Sequence, residues 1–138
     1  AIINLNLGTK APEIFRAVVE SICFGSRKIV ERFLKEGVEI KSVVGIGGVA
    51  KKSPFVMQRL ADVLNMPIRI ANSEQAPALG SAMYAATAAG IYKDVLAAAR
   101  AMGNGFEKTY YPDPARVGVY DKLYQEYCAL GDFVESRI

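Results

Sequence analysis

The chain has 138 residues, of which 51% are hydrophobic and 22% charged, the composition of one ordinary globular domain. Seventeen basic and fourteen acidic residues give a net charge of only +3 and are scattered, which argues against a dedicated nucleic-acid-binding surface. The longest uncharged stretch, residues 76–92, contains Pro77 and is mostly Ala and Gly, which argues against a membrane span.

Histidine and cysteine usage limits the chemistry that the chain can carry. The sequence has no histidine, and Cys23 and Cys128 lie far apart without a CxxC pattern. Neither a metal site nor Ser-His or Cys-His catalysis is therefore expected. Both cysteines are expected to be reduced, buried thiols of a cytoplasmic protein. No secretory signal is expected, because no basic segment followed by an apolar core opens the chain. The chain begins at Ala1 and not at Met, within a strand-like pattern, which favours a fragment of a longer protein.

The first part of the sequence alternates predicted strands with predicted helices. Residues 2–7 approach the period-two pattern of a half-buried strand. Residues 12–36 carry apolar side chains such as Ile22 and Ile29 at helical spacing and form the clearest predicted helix. Residues 38–46 are β-branched and apolar, as in a buried strand.

A second helix is predicted after a run of glycines, with Ser53 as its N-cap and Pro54 in its first turn. The remaining predicted elements are a strand at 67–71, helices at 76–89 and 94–102, a loop at 106–116 and a last helix at 117–134. About three strands with helices between them predict an α/β domain whose helices pack on a small, incomplete sheet.

The segment most informative about function is the glycine turn Gly45-Ile46-Gly47-Gly48. Glycine lets the backbone adopt positive φ and approach a ligand, because no Cβ intervenes. The helix start that follows offers free N–H groups to a phosphate or nucleotide edge, and strand carboxyl ends bind ligands in open α/β sheets. The spacing matches neither GxGxxG nor GxxxxGK[ST], so a purely structural turn fits the pattern equally well.

Several polar residues have a structural interpretation. Arg16 and Glu20, one helical turn apart, are predicted to form an i,i+4 ion pair. Asp62 and Glu74 are expected to cap or pair locally. The tyrosines at 120, 124 and 127 are predicted to line one packed face of the last helix.

Five short motifs occur in a fixed order along the chain. They are Leu7-Gly8-Thr9, Ile14-Phe15-Arg16-Ala17, Gly47-Gly48-Val49-Ala50, Ala61-Asp62-Val63-Leu64 and Ala78-Leu79-Gly80-Ser81. Their order and spacing resemble the C-terminal domain of the FGGY family of carbohydrate kinases over nearly the whole chain. The segments at 24–27, 75–80 and 120–127 are most similar to a branch of that family that phosphorylates a ketopentose.

The resemblance implies an actin-like, ribonuclease-H-like ATPase fold in which two α/β domains close on ATP and a sugar. It places Gly47, Gly48 and Val49 beside the nucleotide, and Ser53 where relatives hydrogen-bond the adenine edge. A helix N-cap is the alternative role for Ser53. Residues 1–138 are then expected to be a nucleotide-binding fragment without catalytic or metal residues, because the family's aspartate base, sugar pocket and phosphate loop match nothing here.

The implied reaction transfers the γ-phosphate of ATP to a sugar hydroxyl, converting L-ribulose to L-ribulose 5-phosphate, with Mg²⁺ bound mainly outside this chain. Kinases of xylulose or glycerol in the same family are alternatives, as is a non-catalytic nucleotide-binding module on the same fold. No nucleic-acid or membrane partner is expected. An exposed edge of an incomplete sheet favours self-association, for example as a homodimer.

Overall fold

A computed structural model describes residues 1–137, and residue 138, the last of the predicted domain, lies outside the described residues. Six helices and three strands follow one another within that described part. They are α1 (Ala11–Lys35), β1 (Val43–Gly45), α2 (Gly47–Lys52), α3 (Pro54–Leu64), β2 (Ile68–Ala71), α4 (Ala76–Ala88), α5 (Val95–Met102), β3 (Phe106–Tyr110) and α6 (Pro114–Glu135). The α/β class predicted from the sequence is confirmed.

The sheet is mixed and has β2 at its centre. β1 runs parallel to β2, with Val43 opposite Ile68, whereas β3 runs antiparallel, with Tyr110 opposite the same residue. Ile68 and Ile70 on the central strand are fully buried. Because β1 and β2 are parallel, their carboxyl ends lie at the same edge of the sheet.

Helix α3 packs between the sheet and the two longest helices, so its residues enter two apolar clusters. The cluster against the sheet consists of Ala50, Met57, Ala61, Ile68, Ile70 and Tyr110. The cluster between α1, α3 and α6 consists of Cys23, Phe24, Val63, Tyr120 and Tyr124. The predicted packed tyrosine face of the last helix is therefore confirmed.

Two strand predictions need correction because strand formation requires a neighbouring strand. The predicted strand at 2–7 is not formed: these residues are irregular up to a turn at 7–8, and none pairs with another strand in the described chain. The predicted strand at 38–46 is only three residues long, since only Val43–Gly45 meet β2.

The predicted loop at 106–116 is also wrong. Its first half forms β3, which finds hydrogen-bonding partners along β2. Its last residues begin α6, where Asp113 accepts a hydrogen bond from the Ala115 N–H and Pro114 occupies the first turn. Residues that are polar and proline-rich in sequence therefore still enter regular structure.

The long helix α1 is confirmed, but its predicted apolar stripe does not face the core. Ile22 and Ile29 are 63% and 61% exposed, whereas Cys23 and Phe24 are buried. α3 and α6 cover only one side of α1, and the second apolar side lies at the surface. None of the described helices combines the length and apolarity that a bilayer crossing requires.

Candidate nucleotide site at the glycine bend

The glycine bend lies at the edge of the sheet where β1 and β2 end. β1 ends at Gly45, Ile46 follows in an extended conformation, and α2 begins at Gly47. Gly47 has a φ of +81°, in the left-handed region that other residues rarely adopt. The bend therefore depends on glycine at this position for its geometry.

The three glycines of the bend have different surroundings. A Cβ placed on Gly45 would lie 2.9 Å from Cδ1 of Ile70 and 3.2 Å from Cβ of Ala50, so packing alone requires glycine there. A Cβ placed on Gly47 or Gly48 would meet nothing within 4 Å. Core side chains thus occupy the space beside Gly45, whereas the backbone of Gly47 and Gly48 faces open space.

The other two predicted nucleotide-binding residues flank this bare backbone. Val49 is 63% exposed, while the next residue, Ala50, is buried and anchors α2 in the core. Ser53 ends α2 and caps α3, where its Oγ accepts a hydrogen bond from the Val56 N–H at 3.5 Å. This distance is at the long limit for a hydrogen bond, and the hydroxyl still has a proton to donate. A cap and a ligand contact are therefore compatible at Ser53.

A lysine of α2 makes contacts that the sequence analysis missed. The Lys51 Nζ lies 2.7 Å from Oε1 of Glu74 and 3.3 Å from Oε2 of Glu107, and its side chain is only 14% exposed. Glu74 was expected to pair locally, and Glu107 lies in the segment predicted as a loop. No local pattern signals this cluster, because its members come together only when β2 and β3 pair.

The cluster places one positive charge between two negative charges. Hydrogen bonding to Glu74 is the main cause that raises the pKa of Lys51 above its usual value, and the Glu107 carboxylate adds to it. The same hydrogen bond lowers the pKa of Glu74 below its usual value. The Lys51 ammonium and the Glu74 carboxylate therefore stabilise each other's charged forms at neutral pH.

The residues at the bend do not fit a Mg²⁺ site. Mg²⁺ requires oxygen ligands in near-octahedral geometry. Glu74 and Glu107 are the carboxylates beside the bend that the structure pairs with Lys51, and a bound cation would have to displace that ammonium. Across residues 1–137 there is no group of three or more His, Cys, Asp or Glu side chains suited to a metal ion.

Of the other predicted local contacts, the pair of Arg16 with Glu20 is formed, whereas Asp62 has a wider role. The Arg16 Nε lies 2.7 Å from Oε1 of Glu20, which confirms the predicted pair. Asp62 is fully buried and does more than pair locally: its Oδ1 accepts hydrogen bonds from the neighbouring Gln58 Nε2 and from the distant Asp113 N–H. Asp62 thus connects α3 to the start of α6.

The fold is that of sugar kinases. The ligand-bound xylulose kinase from Lactobacillus acidophilus superposes with a TM-score of 0.85 and 26% identity, over 98% of this chain and 27% of that chain. Gluconate kinase from the same organism superposes with a TM-score of 0.83 and 27% identity, over 97% of this chain and 27% of that chain. The predicted fold, helices packed on a small sheet of the actin-like kinase type, is therefore confirmed.

The chain belongs to the FGGY family of carbohydrate kinases, since the model of that family's C-terminal domain matches residues 1–89. Among similar curated proteins, ribulokinase from Anoxybacillus flavithermus is 44% identical over 136 residues, 96% of this chain and 24% of the relative. Ribulokinase from Bacillus licheniformis is 47% identical over 133 residues, 94% of this chain and 24% of the relative. The chain thus spans about a quarter of the length of these relatives.

Proposed function

We propose that this chain is the nucleotide-binding part of the C-terminal domain of a longer, ATP-dependent sugar kinase. The observation that carries the proposal is the bare backbone of Gly47 and Gly48, open to solvent at the carboxyl edge of two parallel strands. In this proposal adenosine lies on this backbone, Val49 lies beside it, and the Ser53 hydroxyl donates a hydrogen bond to the adenine edge. The family supports ATP as the nucleotide.

The proposed sugar substrate is L-ribulose. Support comes from identities of 44% and 47% to two ribulokinases over nearly this whole chain. In the proposed reaction, a sugar hydroxyl oxygen forms a bond to the γ-phosphorus of ATP, the bond from that phosphorus to the β–γ bridging oxygen breaks, and ADP leaves as the hydroxyl proton is released. This chain holds and orients adenosine. Other parts of the protein provide the catalytic base and the groups that bind the phosphates.

Xylulose is the strongest alternative substrate, because a xylulose kinase shares the fold with a TM-score of 0.85. Its 26% identity is well below the 44% of the ribulokinase from Anoxybacillus flavithermus. Sequence similarity therefore favours ribulose over xylulose. A cytoplasmic location and a homodimer remain predictions.

A phosphorylation panel on the full-length gene product tests the substrate. L-ribulose, D-xylulose, gluconate and glycerol are each incubated with ATP, and ADP release is followed by a coupled assay. We expect the largest kcat/KM for L-ribulose. A larger kcat/KM for another sugar would reject ribulose as the substrate, and the absence of transfer to every sugar would favour a non-catalytic nucleotide-binding module.

Nucleotide titration of the same protein and its Gly48→Val variant tests the glycine bend. The added side chain would occupy the space proposed for adenosine, so we expect ADP affinity to fall by at least about tenfold. Gly118→Val is a matched control, because Gly118 lies on α6 and a Cβ there also meets nothing within 4 Å. Equal ADP affinity of the Gly48→Val variant and the unmodified protein would remove the bend from the site.

A further inference from the structure

The short helix α2, which carries the bare glycine backbone, has little to hold it in place. It has six residues, two of them glycine, and its N-cap residue Ile46 provides no side-chain cap. Helices of this length are not stable by themselves, and glycine loses more conformational freedom on folding than any other residue. The position of α2 must therefore come from contacts with other elements.

Two side chains of α2 supply these contacts. Ala50 is buried in the cluster against the sheet. Lys51 is the one side chain of this helix that makes a hydrogen bond or ion pair with another element within residues 1–137. Its partners are Glu74, between β2 and α4, and Glu107, on β3. The lysine thus ties α2 to the turn after β2 and to β3.

The charges around Lys51 argue against a role for this lysine as a phosphate ligand. One ammonium faces two carboxylates at 2.7 and 3.3 Å, and the neighbouring Lys52 adds a weaker attraction for Glu74. A phosphate approaching Lys51 would have to compete with both carboxylates and would be repelled by them. The arrangement suits a structural tether better than a phosphate ligand.

We propose that Lys51 is a positioning residue that, through Glu74 and Glu107, fixes α2 and with it the backbone of Gly47 and Gly48 at the sheet edge. The inference rests on the proposed nucleotide site. Without the tether, α2 samples more orientations, and adenosine binding must then order the helix as well as fill the site. Removing Lys51 should weaken binding of every nucleotide to the same extent.

Hydrogen exchange in the absence of nucleotide tests the tether directly. In Lys51→Met, which keeps the length of the side chain but removes its charge, we expect the amides of residues 50–53, which follow the unpaired first turn of α2, to exchange about tenfold faster. Lys52→Met removes the same charge one residue away and should leave them unchanged. Equal exchange in the two variants would overturn the positioning role.

Affinities for adenosine, ADP and ATP in the full-length protein distinguish a tether from a phosphate ligand. A tether predicts that Lys51→Met weakens all three by one common factor, about tenfold. It also predicts that Lys51→Arg, which keeps a positive charge facing both carboxylates, retains most of the affinity. Loss of ATP affinity with unchanged adenosine affinity would show a direct phosphate contact and reject the proposal.

A second variant covers the case in which Lys51→Met does not fold. Glu74 is 81% exposed, so Glu74→Gln should fold normally and still release one end of the tether. We expect an intermediate increase in exchange at residues 50–53, and no increase would reject the tether. If the unmodified protein bound no nucleotide, the proposed function would fail, while the exchange data would still decide whether Lys51 fixes α2.

Discussion

Tyr120 donates a buried hydrogen bond to Glu20 across the interface of α1 and α6, with 2.8 Å between Oη and Oε1. The same carboxylate oxygen accepts from the Arg16 Nε at 2.7 Å. Both Tyr120 and Glu20 are buried. Burial, followed by the hydrogen bond to Glu20, raises the pKa of Tyr120 above its usual value. The long helices are thus joined by a polar contact inside an apolar interface.

Removing this hydroxyl should destabilise the fold. Tyr120→Phe leaves the buried Glu20 carboxylate with one donor fewer, and we expect the free energy of unfolding to fall by about 1–3 kcal/mol in urea denaturation. Tyr84→Phe is the matched control, because Tyr84 is 68% exposed. Equal urea midpoints for the two variants would mean that the contact contributes nothing to stability.

Two glycine-to-alanine substitutions should change stability in opposite directions. Gly45→Ala forces a Cβ to within 2.9 Å of Ile70 and should cost about 1–3 kcal/mol through overpacking. Gly131→Ala, in α6 with nothing within 4 Å, should stabilise by about 0.5–1 kcal/mol through helix propensity. Thermal and urea unfolding measure both, and a stabilising Gly45→Ala would contradict the close packing seen at the end of β1.

The buried carboxylate of Asp62 should matter far more than an exposed one. Its Oδ2 lies 3.5 Å from Arg116 and 3.7 Å from the largely buried Arg59. Asp62→Asn removes the carboxylate that faces Arg59, whereas Arg116 keeps its pair with Asp113. We expect a loss of about 3 kcal/mol by urea denaturation. Asp121→Asn, which breaks the half-exposed pair with Arg27, should cost less than about 1 kcal/mol. Equal losses would contradict the assigned burial.

The two free thiols should differ in reactivity. Cys23 is buried, and burial raises the pKa of its thiol to about 11, so at pH 8 only about a thousandth of it is thiolate. Cys128 is half-buried. We expect Cys128 to react with a disulfide reagent in the native protein and Cys23 to react only after unfolding. A Cys128→Ser variant that still reacted rapidly at pH 8 would contradict the burial of Cys23.

Self-association is a prediction for this chain studied alone. The sequence predicted it from an exposed sheet edge, and the structure adds an exposed apolar side of α1 that includes Ile22 and Ile29. Sedimentation velocity should show a weight-average mass that rises with concentration. Ile29→Lys should reduce the rise if the helix face drives association, and a strictly monomeric profile would contradict the prediction.

Local signals predicted the helices well. The α3 start at Ser53 and Pro54 and the α1 end before Gly37 are found where expected, because capping and φ preferences act within a few residues. Strands were predicted less well, since each needs a distant partner. Residues 106–110 show no strong strand pattern but pair with β2, whereas residues 2–7 show one and have no strand beside them in the described chain.

In the candidate site, too, local features were predicted from the sequence and contacts between distant residues were not. The glycines and Ser53 are visible in the sequence, but their surroundings are not: Gly45 is filled by the core, and Gly47 and Gly48 are open. The cluster around Lys51 was missed, because its carboxylates lie on other elements of the chain. No pattern along the sequence distinguishes a paired lysine from a free one.

By itself, the sequence determined the family, the boundaries of α1, α4 and α5, the start of α3 and the position of the glycine bend, because these depend on residue identity and on neighbours a few positions away. Only the tertiary structure decided which side of α1 is buried, which glycines face open space and which charges meet at Lys51. Those features depend on where the packed sheet and helices place residues that are far apart in the chain. Such contacts leave no local pattern in the sequence from which they could be predicted.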